Sequence, residues 1–519
     1  MSRWLNCLKW LKRLLLWLAL LAAGLCALAW LAYRPLPEQQ AQAARPHLFG
    51  AEDTTLGQAL AEKVAKHPAL TGIYSLPNGH DAFAARAALA EVAERSIDAQ
   101  YYIWHDDTAG RLLLQSLRRA ADRGVQVRLL LDDNNTGGMD AVLLALDDHP
   151  GIEVRVFNPM MHRNMRVLDY LSDFARTNRR MHNKSFTVDN QATVVGGRNV
   201  GDEYFGAGDG VMFADLDVMA VGAVVQAVSS DFDRYWRSAS TYPLSSIVAD
   251  SGKRTDIGTA PASDPATQTY LHALTQSDLV QRLRSGNLAL EWAAARLVSD
   301  DPAKGLGQAR FEQTLLGQLN QVMDGAKKEL TIVSPYFVPT KKGAAHLIAL
   351  AQRGVAVTIL TNALSATDVA AVHAGYAKYR KDLLRAGIRI FELKPDATVI
   401  ATGHGSLAGS SGASLHAKTF EVDGRQLFVG SFNMDPRSAS LNTEMGLLID
   451  SPKLAQHLPA ALSSHGAANS YAVTLEGDSL HWSTQEGGNS LAYTQEPEST
   501  WLRRASVHVL SWLPIEWML

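Results

Sequence analysis

The chain has almost no cysteine. Of its 519 residues only Cys7 and Cys26 are cysteines, and both lie in the N-terminal segment. The body therefore has no thiol, which excludes body disulfides, cysteine nucleophiles and cysteine-ligated zinc. The redox compartment stays open, because a disulfide-free body suits cytoplasm and periplasm alike. There is no HExxH, no P-loop and no paired His/Asp cluster, so neither a metal nor another cofactor is expected. Charge is also sparse. Charged residues make up 19% and the net charge is −3, leaving no global basic surplus to attract nucleic acid. With 47% hydrophobic residues a sizeable core is expected, and the length allows roughly two to four domains.

What is present begins at the N-terminus. Leu14 to Tyr33 is a run of 20 residues without a charge, the length a helix needs to cross a bilayer core. Arg3, Lys9, Lys12 and Arg13 precede it, and only Arg34 follows at once. The positive-inside bias places the N-terminus in the cytoplasm and the body on the far side of a single-pass anchor. A cleaved signal peptide with Ala27-Leu28-Ala29 as its processing site is the rival reading, but the apolar run is long for that role. A lipoprotein site at Cys26 is disfavoured by Leu25, where a small residue is wanted. Residues 35–50, rich in Pro, Ala and Gln, read as a linker. Of 11 tryptophans, seven lie in the terminal segments: Trp4, Trp10, Trp17, Trp30, Trp501, Trp512 and Trp517. The C-terminal stretch, where Leu502, Val509, Leu510 and Leu513 fit one helical face, is then either an interfacial membrane contact or a helix docked on the core.

The body holds one short pattern twice. His182-Asn183-Lys184-Ser185-Phe186-Thr187-Val188-Asp189 and His416-Ala417-Lys418-Thr419-Phe420-Glu421-Val422-Asp423 both read H-x-K-x-x-x-x-D. Each is followed by a glycine-containing turn ending in asparagine, Gly196-Gly197-Arg198-Asn199 and Gly430-Ser431-Phe432-Asn433, and both asparagines follow their histidines by 17 residues (182 to 199, 416 to 433). A lone histidine or lysine is normally a solvated or satisfied core residue. That reading would have to explain the same set twice.

The surroundings repeat too. A strand at 96–103, a helix over Leu112 to Asp122 and Arg123-Gly124-Val125 leading into a strand at 127–131 match a strand at 330–338, a helix over Ala344 to Gln352 and Arg353-Gly354-Val355 leading into 357–360. Tyr101-Tyr102-Ile103 is echoed by Tyr336-Phe337-Val338. Gly151-Ile152 to Phe157 pairs with Gly387-Ile388 to Phe391, the phenylalanines standing 234 residues apart like the histidines (157 to 391, 182 to 416). A duplicated strand–helix–strand unit in an α/β protein with a mostly parallel or mixed sheet is expected. The boundaries are residues 1–34 for the basic segment and membrane helix, 51–245 for repeat one, 246–300 for an inter-repeat segment and 301–463 for repeat two. Residues 464–519 then form a hairpin and the C-terminal segment, and Asp250 to Pro265, rich in Gly, Pro, Ser and Asp, reads as the inter-repeat loop.

In a strand, residues i and i+2 share a face. His182 would then lie beside Lys184, and His416 beside Lys418, with Asn199 and Asn433 on the following strands. An imidazole, an ammonium and an amide donor from each half suit a phosphodiester. Lysine and asparagine hold the non-bridging oxygens; one histidine attacks phosphorus while the other serves as acid and base. A nucleophilic histidine needs an acceptor at its other ring nitrogen. Glu444 and Asp217 are expected as those carboxylates, with Asp215 as the substitute for Asp217. Asp189 and Asp423 stand at strand ends before turns and are expected to be structural.

These residues resemble the phospholipase D superfamily, whose hallmark is two HxKxxxxD motifs forming one site. The resemblance covers roughly residues 80 to 450. Leu415 to Thr419, Gly430 to Ser438 and Asn442-Thr443-Glu444 look like bacterial cardiolipin synthases. Arg179 to Phe186, Gly196 to Phe205 and the Pro514-Ile515-Glu516-Trp517 ending are most similar to the C-type branch. The resemblance implies tandem α/β/α sandwich repeats of phospholipase D type, related by a pseudo-twofold, on a bacterial inner-membrane anchor. It implies phosphatidyl transfer through a phosphohistidine to a glycerol hydroxyl of phosphatidylglycerol, with phosphatidylethanolamine as donor. The site carried over is His182, Lys184, Asn199, His416, Lys418, Asn433 and Glu444, with His182 attacking, His416 as acid and base, and Ser431 touching substrate. Gly197 stands where the second half has Ser431, so that hydroxyl is missing from half one. Hydrolysis by water, or a phosphodiesterase or nuclease of the same superfamily, is the alternative; the anchor, the terminal tryptophans and the net charge favour lipid and membrane over nucleic acid.

Overall fold

Strands whose residues are buried on both faces need cover from helices on both sides, and the centre of each half is built that way. The computed structural model describes residues 2–38, 51–206, 212–250, 252–255, 257, 265–285, 287–395, 413–460, 469–486 and 488–519. Residues 39–50 of the linker and most of the inter-repeat loop lie outside them. In half one the strands are β1 (Thr71–Leu76), β2 (Ser96–Tyr101), β3 (Gln126–Asp132), β4 (Ile152–Phe157), β5 (Ser185–Val188), β6 (Ala192–Gly196), β7 (Met212–Ala214), β8 (Asp217–Gly222) and β9 (Thr241–Pro243). In half two they are β10 (Glu291–Ser299), β11 (Glu329–Val333), β12 (Ala356–Asn362), β13 (Arg389–Leu393), β14 (Ala413–Leu415), β15 (Lys418–Val422), β16 (Gln426–Gly430), β17 (Met445–Asp450), β18 (Ser470–Glu476), β19 (Ser479–Glu486) and β20 (Asn489–Tyr493).

Hydrogen bonding orders half one as β9-β4-β3-β2-β5-β6-β8-β1, and half two as β18-β13-β12-β11-β15-β16-β17-β10. Among the described strands of this sheet only β2-β3-β4 and β11-β12-β13 run parallel, and β7 and β14 form a separate parallel pair between the halves. The sheet is thus mixed, with parallel crossovers confined to the strand–helix–strand units seen in the sequence. Both units end their helix the same way. In half one Asp107 caps the helix Thr108–Asp122 by accepting from the Gly110 N–H, and the chain leaves through Gly124 at φ +95°. In half two the helix Thr340–Gln352 leaves through Gly354 at φ +91°, a left-handed conformation that glycine adopts without a Cβ penalty.

The register corrects two of the expected matches. Ile97 and Leu330 occupy the same place, opposite Val188 and Val422. Trp104 then matches Phe337, and each forms the isolated bridge to the segment after the asparagine turn, with Val200 and Met434. The echo of Tyr101-Tyr102-Ile103 in Tyr336-Phe337-Val338 is therefore two residues out of register. Gly151-Ile152 does match Gly387-Ile388, but Phe157 matches Leu393 rather than Phe391. The duplication stands without a single offset, because the loops between its strands differ in length. A third difference is β10: these nine residues, expected in the inter-repeat segment, form a strand that pairs with β1 on one side and β17 on the other. β10 thereby joins both halves into one 18-stranded sheet.

Each half keeps its own core, and a third apolar cluster fuses them. Ile73, Val195, Val218 and Ala220 from half one pack with Leu427, Val429, Met445, Leu447 and Ile449 from half two. Burial of this many branched side chains, at about 1.5–3 kcal/mol each, makes the two halves one folding unit. The helix Trp501–Trp512 packs Val507 and Leu510 against Leu364 and Ala374, while Trp501, Leu502, Val509, Trp512 and Leu513 stay exposed. The expected shared face is split: Leu510 docks, and the other three of that set point to solvent. At the other end the helix Ser2–Ala32 contains a 21-residue stretch, Lys12–Ala32, of mean hydropathy 2.4 with none of its residues buried in the body.

Candidate active site

The two histidines do not lie in strands. His182 follows a single bridge at Met181 and precedes β5; His416 follows β14 and precedes β15. Each is hung on the other half of the molecule. The His182 N–H donates to the Thr443 carbonyl at 2.8 Å, and the His416 N–H donates to the Ala214 carbonyl at 2.8 Å. The side chains repeat this exchange. His182 Nδ1 lies 2.7 Å from Glu444 Oε2, and His416 Nδ1 lies 2.5 Å from Asp215 Oδ2. A carboxylate acceptor makes Nδ1 the protonated nitrogen and leaves Nε2 of both rings with a lone pair.

Lys184 stands just before β5, and Lys418 is the first residue of β15. Lys184 Nζ donates to the His182 carbonyl at 2.6 Å, and Lys418 Nζ makes the same bond to the His416 carbonyl. Both lysines are buried, as are Asn199 and Asn433. Asn199 Oδ1 accepts from the Ile103 N–H and its Nδ2 donates to the Tyr204 hydroxyl at 3.0 Å. Asn433 Oδ1 is buried with no hydrogen-bond partner among the described residues.

Asp217 does not meet a histidine. Its carboxylate is paired with Arg86 at 2.9 Å and accepts from the Arg198 N–H, with both side chains of the ion pair fully buried. The position behind His416 belongs to Asp215. Alternation alone would put the two on one face, but β8 begins only at Asp217, opposite Gly196, and Asp215 lies before the strand, where its carboxylate meets the second histidine. Ser431, expected at the substrate, is also elsewhere. It is completely buried, its Oγ donating to Glu444 Oε2 at 2.5 Å and accepting from the Met445 N–H at 3.0 Å, so it steadies the carboxylate that holds His182. Asp189 accepts from the N–H groups of Glu94, Arg95 and Ser96, and Asp423 from those of Lys327, Lys328 and Glu329; both sit at positive φ in the turn they close.

Aromatic walls complete the site and were not foreseen. The Tyr102 ring meets His182 edge-on at 4.9 Å and lies under Lys184 Nζ at 5.4 Å. Tyr204 and Phe213 flank His416 at 5.2 and 5.0 Å. Tyr102 stood in the sequence one residue past a buried strand, a place that marks a sheet end; nothing marked Phe213. Outside the pair, His105, Asp107 and Glu203 bring ligand atoms within 4.8 Å of one another, but the Asp107 oxygens already accept from the Gly110 and Asp202 N–H groups that start two helices.

The profile of the family described as "Cardiolipin synthase, PLD-like domain" matches residues 88–236 and 319–465, one match in each half. The chain belongs to this family. It is 48% identical over 471 residues to cardiolipin synthase C of Escherichia coli (strain K12), a match spanning 89% of this chain and 99% of that protein. It is 26% identical to cardiolipin synthase A of Pseudomonas syringae pv. syringae (strain B728a), over 80% of this chain and 72% of that one. The fold is shared with the crystal structure of phosphatidylserine synthase from Haemophilus influenzae Rd KW20, at a TM-score of 0.51 and 14% identity, covering 81% of this chain and 92% of that chain. As a member of the cardiolipin synthase family the protein is a phosphatidyltransferase of the phospholipase D type, a bacterial membrane protein acting on phospholipids.

The electrostatics of this cardiolipin synthase-type site follow from burying two cations beside two imidazoles. Burial and the neighbouring Lys184, Lys418 and His416 hold His182 well below its ordinary pKa. Burial and Lys418, opposed by Asp215, bring His416 down to about 4. Burial lowers Lys184 well below its usual range against the pull of Glu444, and lowers Lys418 to about 8 against Asp215. Burial opposes ionisation of Asp215, but His416, Lys418 and Arg198 outweigh it and hold the carboxyl below its normal value. Burial wins at Glu444, which rises to about 7 despite Lys184 and Ser431. The site's own side chains thus leave it short of negative charge. An anion between the lysines would supply it, favouring both ammonium groups and an imidazolium.

Proposed function

We propose that the chain makes cardiolipin, moving the phosphatidyl group of phosphatidylethanolamine onto the terminal glycerol hydroxyl of phosphatidylglycerol. One observation supports this above others: two imidazoles, each held at Nδ1 by a carboxylate from the opposite half, with a buried lysine beside each. Nothing in that set favours water over an alcohol as acceptor, and the bilayer anchor supplies the lipid alcohol.

In this reading His182 Nε2 attacks phosphorus while Lys184, Lys418, Asn199 and Asn433 hold the non-bridging oxygens. The bond from phosphorus to the ethanolamine oxygen breaks, and that oxygen takes a proton from His416 Nε2. The phosphatidylglycerol hydroxyl then returns a proton to His416, attacks phosphorus and releases His182. Ethanolamine and cardiolipin leave, and no water is consumed. The assignment of roles rests on the difference between the two carboxylates. Asp215 is held ionised and steadies an imidazolium at His416, whereas His182 is the more strongly held neutral. The four basic residues before the apolar run support a body on the periplasmic side.

The test uses purified chain in mixed micelles of labelled phosphatidylglycerol, with and without phosphatidylethanolamine. Cardiolipin that depends on phosphatidylethanolamine is expected, together with a trapped acid-labile phosphoenzyme that His182→Ala abolishes. Phosphatidic acid as the only product would make the protein a hydrolase. Cleavage of single-stranded DNA without lipid turnover would remove the lipid reading.

A further inference from the structure

Between β4 and His182 the chain makes two short helices, Val167–Ser172 and Phe174–Thr177. Their amphipathicity is inverted. The polar groups point inward: Asp169 is buried and accepts from the Met161 and His162 N–H groups, the Tyr170 hydroxyl donates to Asn134 Oδ1 at 2.7 Å, and Arg176 donates to the Pro159 carbonyl at 2.6 Å. The apolar groups point outward. Met165, Val167, Leu171 and Phe174 are exposed, Val167 to 67%. Trp517, itself 55% exposed, extends this face by an edge contact with Phe174 at 6.4 Å. A surface segment in water places these groups the other way round, and a continuous exposed apolar face marks a site that something non-aqueous covers.

The position of this face says what covers it. The N-terminal helix packs beside Val167–Ser172, and where it ends Arg34 donates to the Met161 carbonyl at 3.5 Å and Leu36 packs against the half-one core. The apolar row therefore lies beside the exit of a helix none of whose apolar stretch is buried in protein. It also adjoins the site. Tyr170 holds Asn134, the neighbouring Asn135 holds the Tyr102 carbonyl at 3.2 Å, and the Tyr102 ring rests on His182.

We propose that Met165, Val167, Leu171, Phe174 and Trp517 insert into the interfacial layer of the bilayer leaflet from which the N-terminal helix emerges, setting the His182–His416 site against the lipid headgroups. Apolar side chains with an aromatic at the rim are the composition of an interfacial helix. The proposal rests on the N-terminal helix being a membrane span, and not on which lipid accepts the phosphatidyl group.

Depth measurement tests it in the full chain. In a Cys7→Ser, Cys26→Ser background, nitroxide labels are placed at Val167→Cys and Leu171→Cys. References are Leu20→Cys in the N-terminal helix and Asp122→Cys, which lies at the end of the sheet opposite the site. In phosphatidylcholine–phosphatidylglycerol nanodiscs, labels at 167 and 171 are expected to show an oxygen-to-nickel relaxation ratio several-fold above that at 122 and closer to that at 20. A ratio at 167 and 171 equal to that at 122 overturns the proposal. So does shielding from both reagents, which would mean that protein covers the face. A nickel-accessible label at 20 would remove the anchor itself, and the proposal with it, which separates that failure from the others.

Discussion

Asp215 and Glu444 stand in the same register of the two half-sheets, each reaching across to the histidine of the opposite half. Gly196 of β6 lies opposite Asp217 and Gly430 of β16 opposite Gly446, so the residues two before each, Asp215 and Glu444, are counterparts. The same register pairs Gly197 with Ser431. The longer glutamate leaves room for a serine that hydrogen-bonds it; the shorter aspartate does not, because a Cβ on Gly197 would lie 2.2 Å from Asp215 Oδ1.

Gly197→Ala is therefore expected to displace Asp215 from His416 and lower kcat by about 10²-fold, the lower end of what a general acid–base group contributes. Ser431→Ala removes one bond to Glu444 and no bulk, and should cost less. Steady-state turnover of both variants checks the order. Gly197→Ala with full activity would break the link between Asp215 and His416.

The two half-one aspartates should separate by readout. Asp215→Asn keeps the shape but loses the acceptor that fixes the imidazole tautomer, so phosphatidyl transfer is expected to fall by about 10²–10⁴-fold with thermal stability little changed. Asp217→Asn strips the charge partner from the buried Arg86 and is expected to cost about 3–5 kcal/mol of stability. Thermal unfolding measured beside activity checks both. Equal loss of stability in the two variants would contradict the assignment.

Activity should be bell-shaped in pH. Glu444 must be ionised to hold Nδ1–H of His182, and burial has raised it to about 7, so kcat/KM falls as pH drops through that value. Lys418 must be charged to hold phosphate oxygens, and burial has lowered it to about 8, so kcat/KM falls again as pH rises past it. Lys418→Arg retains charge to higher pH, and whatever activity survives should lose the alkaline limb. A profile flat from acid to alkali would refute both assignments.

The motif aspartates should behave as structural residues. Asp189→Ala leaves the N–H groups of Glu94, Arg95 and Ser96 without their acceptor and puts alanine at φ +49°. At about 1–3 kcal/mol for each buried donor left unpaired, a clear fall in Tm is expected, with turnover per folded molecule retained at low temperature. Asp423→Ala, whose carboxylate is less buried, should lose less. Calorimetry with active-site titration separates stability from chemistry.

Much of this protein was legible in one dimension, because local patterns and matched spacing are properties of the chain. The anchor is a length of uncharged residues, the strand–helix–strand units are apolar periodicities closed by Gly124 and Gly354, and the proposed catalytic set is a pattern written twice with His182 and Asn199 spaced like His416 and Asn433. The turn hydrogen bonds of Asp189 and Asp423 were also readable, since an aspartate at a strand end before a turn has backbone donors within reach. What only the tertiary structure decided lies across the two halves. Whether Asp215 or Asp217 meets His416 depends on where β8 begins against β6, because two residues two apart share a strand face and only the start of β8 at Asp217 leaves Asp215 outside it. Loops of unequal length hid that register from residue counting and put the tyrosine echo two residues out. β10 could be recognised as a shared strand only with β1 and β17 on either side of it, and Ser431 as a support for Glu444 only once both were buried together. Chemistry-bearing residues repeat along the chain, but the hydrogen bonds that orient them come from the opposite half, and no spacing within one half records those.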